Sequence, residues 1–180
     1  VYFNSFINGL EDINVWGADV KVSEGLLTYY GHGEWKAIGR SDHMKSGKGF
    51  LIRFRHSDNS TFHIYVEQSL YGEEDFQHWG IYGNGNQLAP ETYFGKNFKS
   101  LSIDWQEANL NPTSDWLCAF IEINGSTFSS LIWNPNEPQN TNFVTEDLGL
   151  EWSIFKGSSA FSTEVGIVEI DTYSELSRKN

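Results

Sequence analysis

Residues 48–70 read KGFLIRFRHSDNSTFHIYVEQSL. Phe50, Ile52 and Phe54 alternate with Leu51, Arg53 and Arg55; Phe62, Ile64 and Val66 alternate with His63, Tyr65 and Glu67. Alternation with period two sends the two sets to opposite faces of an extended chain, so each run reads as a strand with one apolar face. Between them lies Ser57-Asp58-Asn59, a polar turn, and the pair reads as a β-hairpin. In that hairpin Phe54 faces Phe62, Ile52 faces Ile64 and Arg53 faces His63. One face buries. The other gathers Arg53, Arg55, His63, Tyr65 and Glu67, an unusual mixture for mere contact with solvent.

The same signature recurs outward in both directions. Val1–Ile7 and Val15–Val22 are extended, and Val20, Val22 and Gly25–Tyr30 suggest a strand pair joined at Ser23-Glu24-Gly25. Glu34–Arg40 begins another strand, and Asp42–Gly49 reads as a polar loop. Phe76–Tyr82 and Lys99–Gln106 alternate as strands. Trp116–Asn124 and Thr127–Trp133, joined at Asn124-Gly125, form a second clear hairpin. Asn134–Asn142 is rich in Pro and Asn and reads as a loop, Val144–Leu150 as a helical turn, and Leu150–Phe155 and Val165–Tyr173 close the sheet. No long stripe with helical period occurs. Short strands at this spacing, separated by polar turns, specify an all-β sandwich or barrel in one domain spanning residues 1–180.

Aromatic residues make up 16% of the chain, with 7 Trp, 8 Tyr and 13 Phe. That exceeds the needs of one core, so some rings are expected on a binding surface. The formal charge of -12 argues against nucleic acid and against anionic membranes, both of which select clustered Lys and Arg. A neutral ligand fits better. The single Cys118 excludes an internal disulfide framework, and no apolar run approaches the ~20 residues of a membrane span. A start at Val1 suggests a mature or excised piece of a larger protein.

EGLL at 24–27, GFLIRFR at 49–55, WLCAFIEINGSTF at 116–128 and GIVEIDTY at 166–173 together resemble the concanavalin A-like sandwiches. These include laminin-G-like domains, carbohydrate-binding modules and several glycosidases. The resemblance implies a two-sheet antiparallel jelly-roll β-sandwich, a glycan partner and an extracellular or cell-surface setting. It also implies a structural Ca2+, for which Asp171 is the candidate ligand; an edge Asp accepting hydrogen bonds is the plainer alternative.

Sugars are held by flat rings against their C–H faces and by planar polar groups on their hydroxyls. Tyr65, Arg53, His63 and Glu67 have that character. Gln77 and Trp79 are expected to continue the face, with Tyr82 in the Gly-rich segment that follows, and Trp116, Phe120 and Glu122 share one side of their strand. For each Trp, a place in the core is the competing reading. Non-catalytic carbohydrate binding is therefore the expected function, ahead of a glycosidase or polysaccharide lyase and of a protein-interaction domain. The Glu-x-Asp-x-x-Glu pattern carried by retaining enzymes of this fold is absent at Glu67 and at Glu169. Arg53, His63 and Tyr65 would suit a lyase, and Glu67 with Glu122 a hydrolytic pair if the two met.

Overall fold

A computed structural model describes residues 1–57, 59–69, 76–84, 87–94, 97–100 and 115–178. The strands are β1 (Tyr2–Asn4), β2 (Asn14–Trp16), β3 (Asp19–Ser23), β4 (Leu26–His32), β5 (Ala37–Lys45), β6 (Lys48–His56), β7 (Thr61–Ser69) and β8 (Phe76–Asn84). They continue as β9 (Gln87–Phe94), β10 (Asn97–Ser100), β11 (Leu117–Asn124), β12 (Thr127–Asn134), β13 (Glu137–Asp147), β14 (Lys156–Ser162) and β15 (Val165–Ser177). They form two antiparallel sheets. Sheet one runs β13-β12-β11-β6-β15-β4-β3 with β1 on β15, and sheet two runs β10-β9-β8-β7-β14-β5-β2. The protein is an all-β sandwich.

The expected central hairpin does not form. β6 lies in sheet one between β11 and β15, whereas β7 lies in sheet two between β14 and β8. The turn closed by Ser60 N–H donating to Ser57 O at 3.2 Å carries the chain from one layer to the other. Phe54 and Phe62 do meet, with ring centroids 4.9 Å apart, but across the sandwich and not along a hairpin. Burying both apolar faces against each other removes more apolar surface from water than a hairpin alone could.

Other boundaries also move. Asp42–Lys45 continues β5, and residues 137–147 form β13 where a loop and a helical turn were expected; a 3-10 turn falls instead at Leu150–Trp152. The β11–β12 hairpin forms as read, with Asn124 opposite Thr127, and so does β3–β4, with Ser23 opposite Leu26. The strand expected at Lys99–Gln106 lies mostly outside the described residues.

The core fills the space between the layers. Phe50, Ile52, Phe54, Leu117, Ile121, Phe128 and Ile170 from sheet one pack on Ile38, Phe62, Ile64, Val66, Trp79, Ile81 and Phe161 from sheet two. Among the described residues an ion pair crosses the interior. Arg40 of β5 reaches Glu175 of β15 at 2.6 Å, and Ser159 Oγ donates to the same carboxylate at 3.0 Å. Removing one partner of such a buried pair costs more than the pair itself contributes, because the other charge is left without compensation.

Candidate functional site

Because β6 and β7 belong to different layers, the face read from the sequence divides in two. Arg53, Trp116, Phe120, Glu122 and Asp171 lie on the outer surface of sheet one. His63, Tyr65, Glu67 and Tyr82 lie on the outer surface of sheet two, some two layers away. Arg53 therefore cannot act with His63 and Tyr65, and Glu67 cannot meet Glu122. Gln77 and Trp79 belong to neither surface, being 1% and 0% exposed. Trp79 Nε1–H donates to Ser130 Oγ at 2.8 Å inside the sandwich, and Gln77 Nε2 donates to the Glu151 carbonyl. The alternation on β8 takes the phase that puts Trp79 in the core, the competing reading of that ring, and Gln77 goes with it. His78 and Tyr82 are the residues of β8 that face outward with His63.

The sheet-one surface is a lattice of matched charges. Arg53 pairs with Asp171, Arg55 with Glu169 at 2.9 Å and Arg178 with Glu122. Both β6 guanidiniums also sit against Trp116, 4.9 and 4.8 Å from its ring centre. Phe120 lies over Gly49, where an added Cβ would come within 2.4 Å of the ring. Each of these guanidiniums is thus held by an opposite charge, and two of them lie against Trp116. Asp171, the residue expected to hold a structural Ca2+, has Arg53 as its ion-pair partner. Among the described residues no three His, Cys, Asp or Glu side chains gather as a metal requires.

Sheet two presents a different surface. Register places Gly39 of β5 opposite Ala160 of β14, Ala160 opposite Tyr65 of β7, and Tyr65 opposite Gly80 of β8. Three of these four positions carry a methyl group or less, so the middle of the sheet is low. Larger side chains stand around it. Trp16 and Trp35 are 39% and 43% exposed. The result is a trough made of two adjoining clefts of about 460 and 400 Å³, which share Trp16, Ala37, Tyr65 and Glu67. Asp42, Gln68, Lys156 and Ser158 line the first, and Trp35, His63, His78 and Ser162 line the second.

A hydrogen-bonded chain runs along one wall. His78 Nδ1 lies 3.2 Å from Glu67 Oε1, and His78 Nε2 lies 2.9 Å from His63 Nε2. Tyr65 stacks on His78 at 4.7 Å, and Trp35 meets His63 edge-on at 6.0 Å. Burial holds both imidazoles neutral, lowering His78 to about 3 and His63 well below its ordinary value, the latter helped by its neighbour His78. Burial pushes the Glu67 carboxyl and the Tyr65 hydroxyl up. While Glu67 is ionised it can only accept, so His78 Nδ1–H donates to it. His78 Nε2 must then accept from His63 Nε2–H. The chain has one direction.

Sequence reasoning missed Trp16, Trp35, Asp42 and His78 as members of this surface. A signal for the trough does exist. Ala37 and Gly39, then Ser158, Ala160 and Ser162, place small residues at every second position of two strands.

No protein-family model matches the chain, and no curated protein matches it in sequence. Solved structures match it in shape. The CBM2 module of the evolved Dit of Lactobacillus casei BL23 phage J-1 superposes with TM-score 0.72 at 9% identity, covering 100% of this chain and 96% of that one. The lectin UEA-II complexed with galactose gives 0.62 at 12%, covering 94% of each chain. A β-1,3-glucanase from Mycobacterium marinum gives 0.62 at 9%, covering 98% of each. The chain thus shares its fold with a carbohydrate-binding module, a lectin and a glucanase, the kinds of sandwich its sequence resembles. At such identities the likeness extends to the architecture of the jelly roll and not to its chemistry.

Proposed function

We propose that this jelly roll binds a neutral glycan in the trough of sheet two. One observation carries the reading. Trp16, Trp35 and Tyr65 border a floor of small residues, with His63, Glu67, Gln68 and Lys156 at hand for hydroxyl groups. Flat rings beside a low floor accept the C–H face of a sugar, and planar polar side chains set which hydroxyls fit. A formal charge of -12, with Asp42 and Glu67 in the trough itself, repels uronates and sulfated chains. Neighbours in shape that include a carbohydrate-binding module and a galactose-bound lectin support a glycan partner, and with it an extracellular setting.

The test is titration of β-1,3-glucan, xylan and galactan oligosaccharides while Trp fluorescence is followed. Saturable binding of at least one is expected, and it weakens about 30-fold in Trp16→Ala. Binding unchanged in Trp16→Ala but lost in Trp116→Ala would move the site to sheet one and overturn the proposal.

A further inference from the structure

We infer that the trough also hydrolyses the glycan, with Glu67 as general acid and Asp42 as general base facing each other across Ser158. The inference rests on the glycan reading above and departs from the expectation of binding without turnover.

The register brings the two carboxylates together. Ser158 of β14 pairs with Glu67 on one side. On its other side the β14–β5 pairing passes from Gly157 opposite Met44 to Ser159 opposite Arg40, so residues 41–43 bulge out opposite Ser158. Asp42 stands in this bulge with φ 59. Bulges of this kind re-aim a side chain. Asp42, Ser158 and Glu67 accordingly line the same cleft of about 460 Å³. A single small residue separates the two acids, and Trp16 and Tyr65 flank them.

Distance selects the mechanism. Neighbouring strands lie about 4.8 Å apart, which sets the main chains of β5 and β7 about 9.5 Å apart across β14. Glu67 leans away from Asp42 toward His78, its hydrogen-bond partner on β8. Retaining glycosidases hold their carboxyl groups about 5–5.5 Å apart, inverting ones about 6.5–9.5 Å, the wider gap admitting a water. Acids on the two strands that flank β14, with Glu67 turned away from Asp42, stand too far apart for the first class and leave room for the water of the second.

Environment assigns the roles. Glu67 is half-buried among Tyr65, His78 and Gln68, and that desolvation favours its protonated form. Asp42 is exposed at the rim, where a water can stand against it. In the step, Glu67 gives its proton to the glycosidic oxygen as the C1–O bond breaks. Water attacks C1 from the opposite face and passes a proton to the Asp42 carboxylate. Both acids then return to their starting states by proton exchange with solvent. His78 is a positioning residue: its Nδ1 holds Glu67 Oε1, which leaves the other carboxyl oxygen to act. The second cleft continues beyond Glu67, so sugar units can occupy both sides of the scissile bond. The substrate is then an internal stretch of a neutral polysaccharide.

The experiment incubates the whole chain with β-1,3-glucan, xylan and galactan, following released reducing ends, and reads the first-formed anomer by proton NMR. Binding to the same three glycans is measured in parallel. At least one β-linked glycan should yield the α-anomer. Glu67→Gln and Asp42→Asn should each slow release at least about 100-fold, the scale of a lost acid or base, with each variant still unfolding cooperatively. Binding without release overturns hydrolysis and leaves the glycan reading standing. Neither binding nor release overturns both. Release of the β-anomer, or release that survives either substitution, overturns the assignment of Glu67 and Asp42.

Discussion

The two outer surfaces of the sandwich are built from similar residues and present opposite chemistry. On sheet one, Arg53, Arg55 and Arg178 each meet a carboxylate, and the two β6 guanidiniums flank Trp116. On sheet two, Gly39, Ala160 and Gly80 hold the floor down, and Trp16 and Trp35 stand partly bare beside it. An inventory of aromatic and charged residues would rank sheet one at least as high as a ligand surface. The difference is one of availability. A guanidinium held by a carboxylate must give up that partner before a hydroxyl can have it, and a ring under a guanidinium offers no face to a sugar. Small residues contribute no contact of their own, yet they create the concavity that contacts need.

The largest expected effect breaks the boundary between surface and core. Trp79→Ala removes a fully buried indole and a hydrogen bond to Ser130, at a cost of about 3–5 kcal/mol. Denaturant unfolding measures it, and a loss below about 1 kcal/mol would return Trp79 to the surface. Next comes Trp16→Ala, with glycan affinity weakened about 30-fold, the roughly 2 kcal/mol of a stacking anchor, and unfolding scarcely changed. Titration of the variant beside Trp116→Ala tells the two surfaces apart, since the latter should bind as wild type does.

Acidification should separate the surfaces too. His78 in the folded chain is lowered to about 3 by burial, against about 6.5 in the unfolded chain. Between those values only the unfolded chain takes up the proton, so stability is whole above about pH 6.5 and falls as the pH drops toward 3. The slope approaches about 1.4 kcal/mol per pH unit for this group, and His63, half-buried beside it, adds in the same direction. Glu67, the carboxylate facing His78, has a raised pKa and acts in the opposite sense over its own range. Urea midpoints at pH 7 and 5 should therefore differ less in His78→Gln than in wild type. Equal differences would show that His78 takes up its proton without unfolding.

The smallest effect belongs to the charged lattice. A double-mutant cycle on Arg55 and Glu169, both more than a quarter exposed, should give a coupling below about 1 kcal/mol and no change in glycan affinity. Altered affinity would bring sheet one back as the ligand surface.

Much of this was legible before any coordinates. Phe50, Ile52 and Phe54 point inward and Arg53 and Arg55 outward, as their alternation required. The β11–β12 hairpin was legible because a two-residue turn admits few geometries. For β8, FQHWGIY alternates in either phase between respectable candidates, and no local rule distinguishes a core Trp from a stacking Trp. Asp42 was hidden for another reason. Its position depends on a bulge that exists only where β5 is paired with β14, a strand more than 110 residues further along the chain.

The sequence by itself determined that the protein is all β and how most strands divide their side chains between two faces. Period-two alternation is a property of each strand alone and survives whatever neighbour the strand acquires. The tertiary structure alone decided which faces come together. Backbone hydrogen bonds pair strands without regard to side-chain identity, and the turn at Ser57–Ser60 can lead along a sheet or across to the next. It leads across, which parts Arg53 from His63, and it is β14 that sets Asp42 beside Glu67.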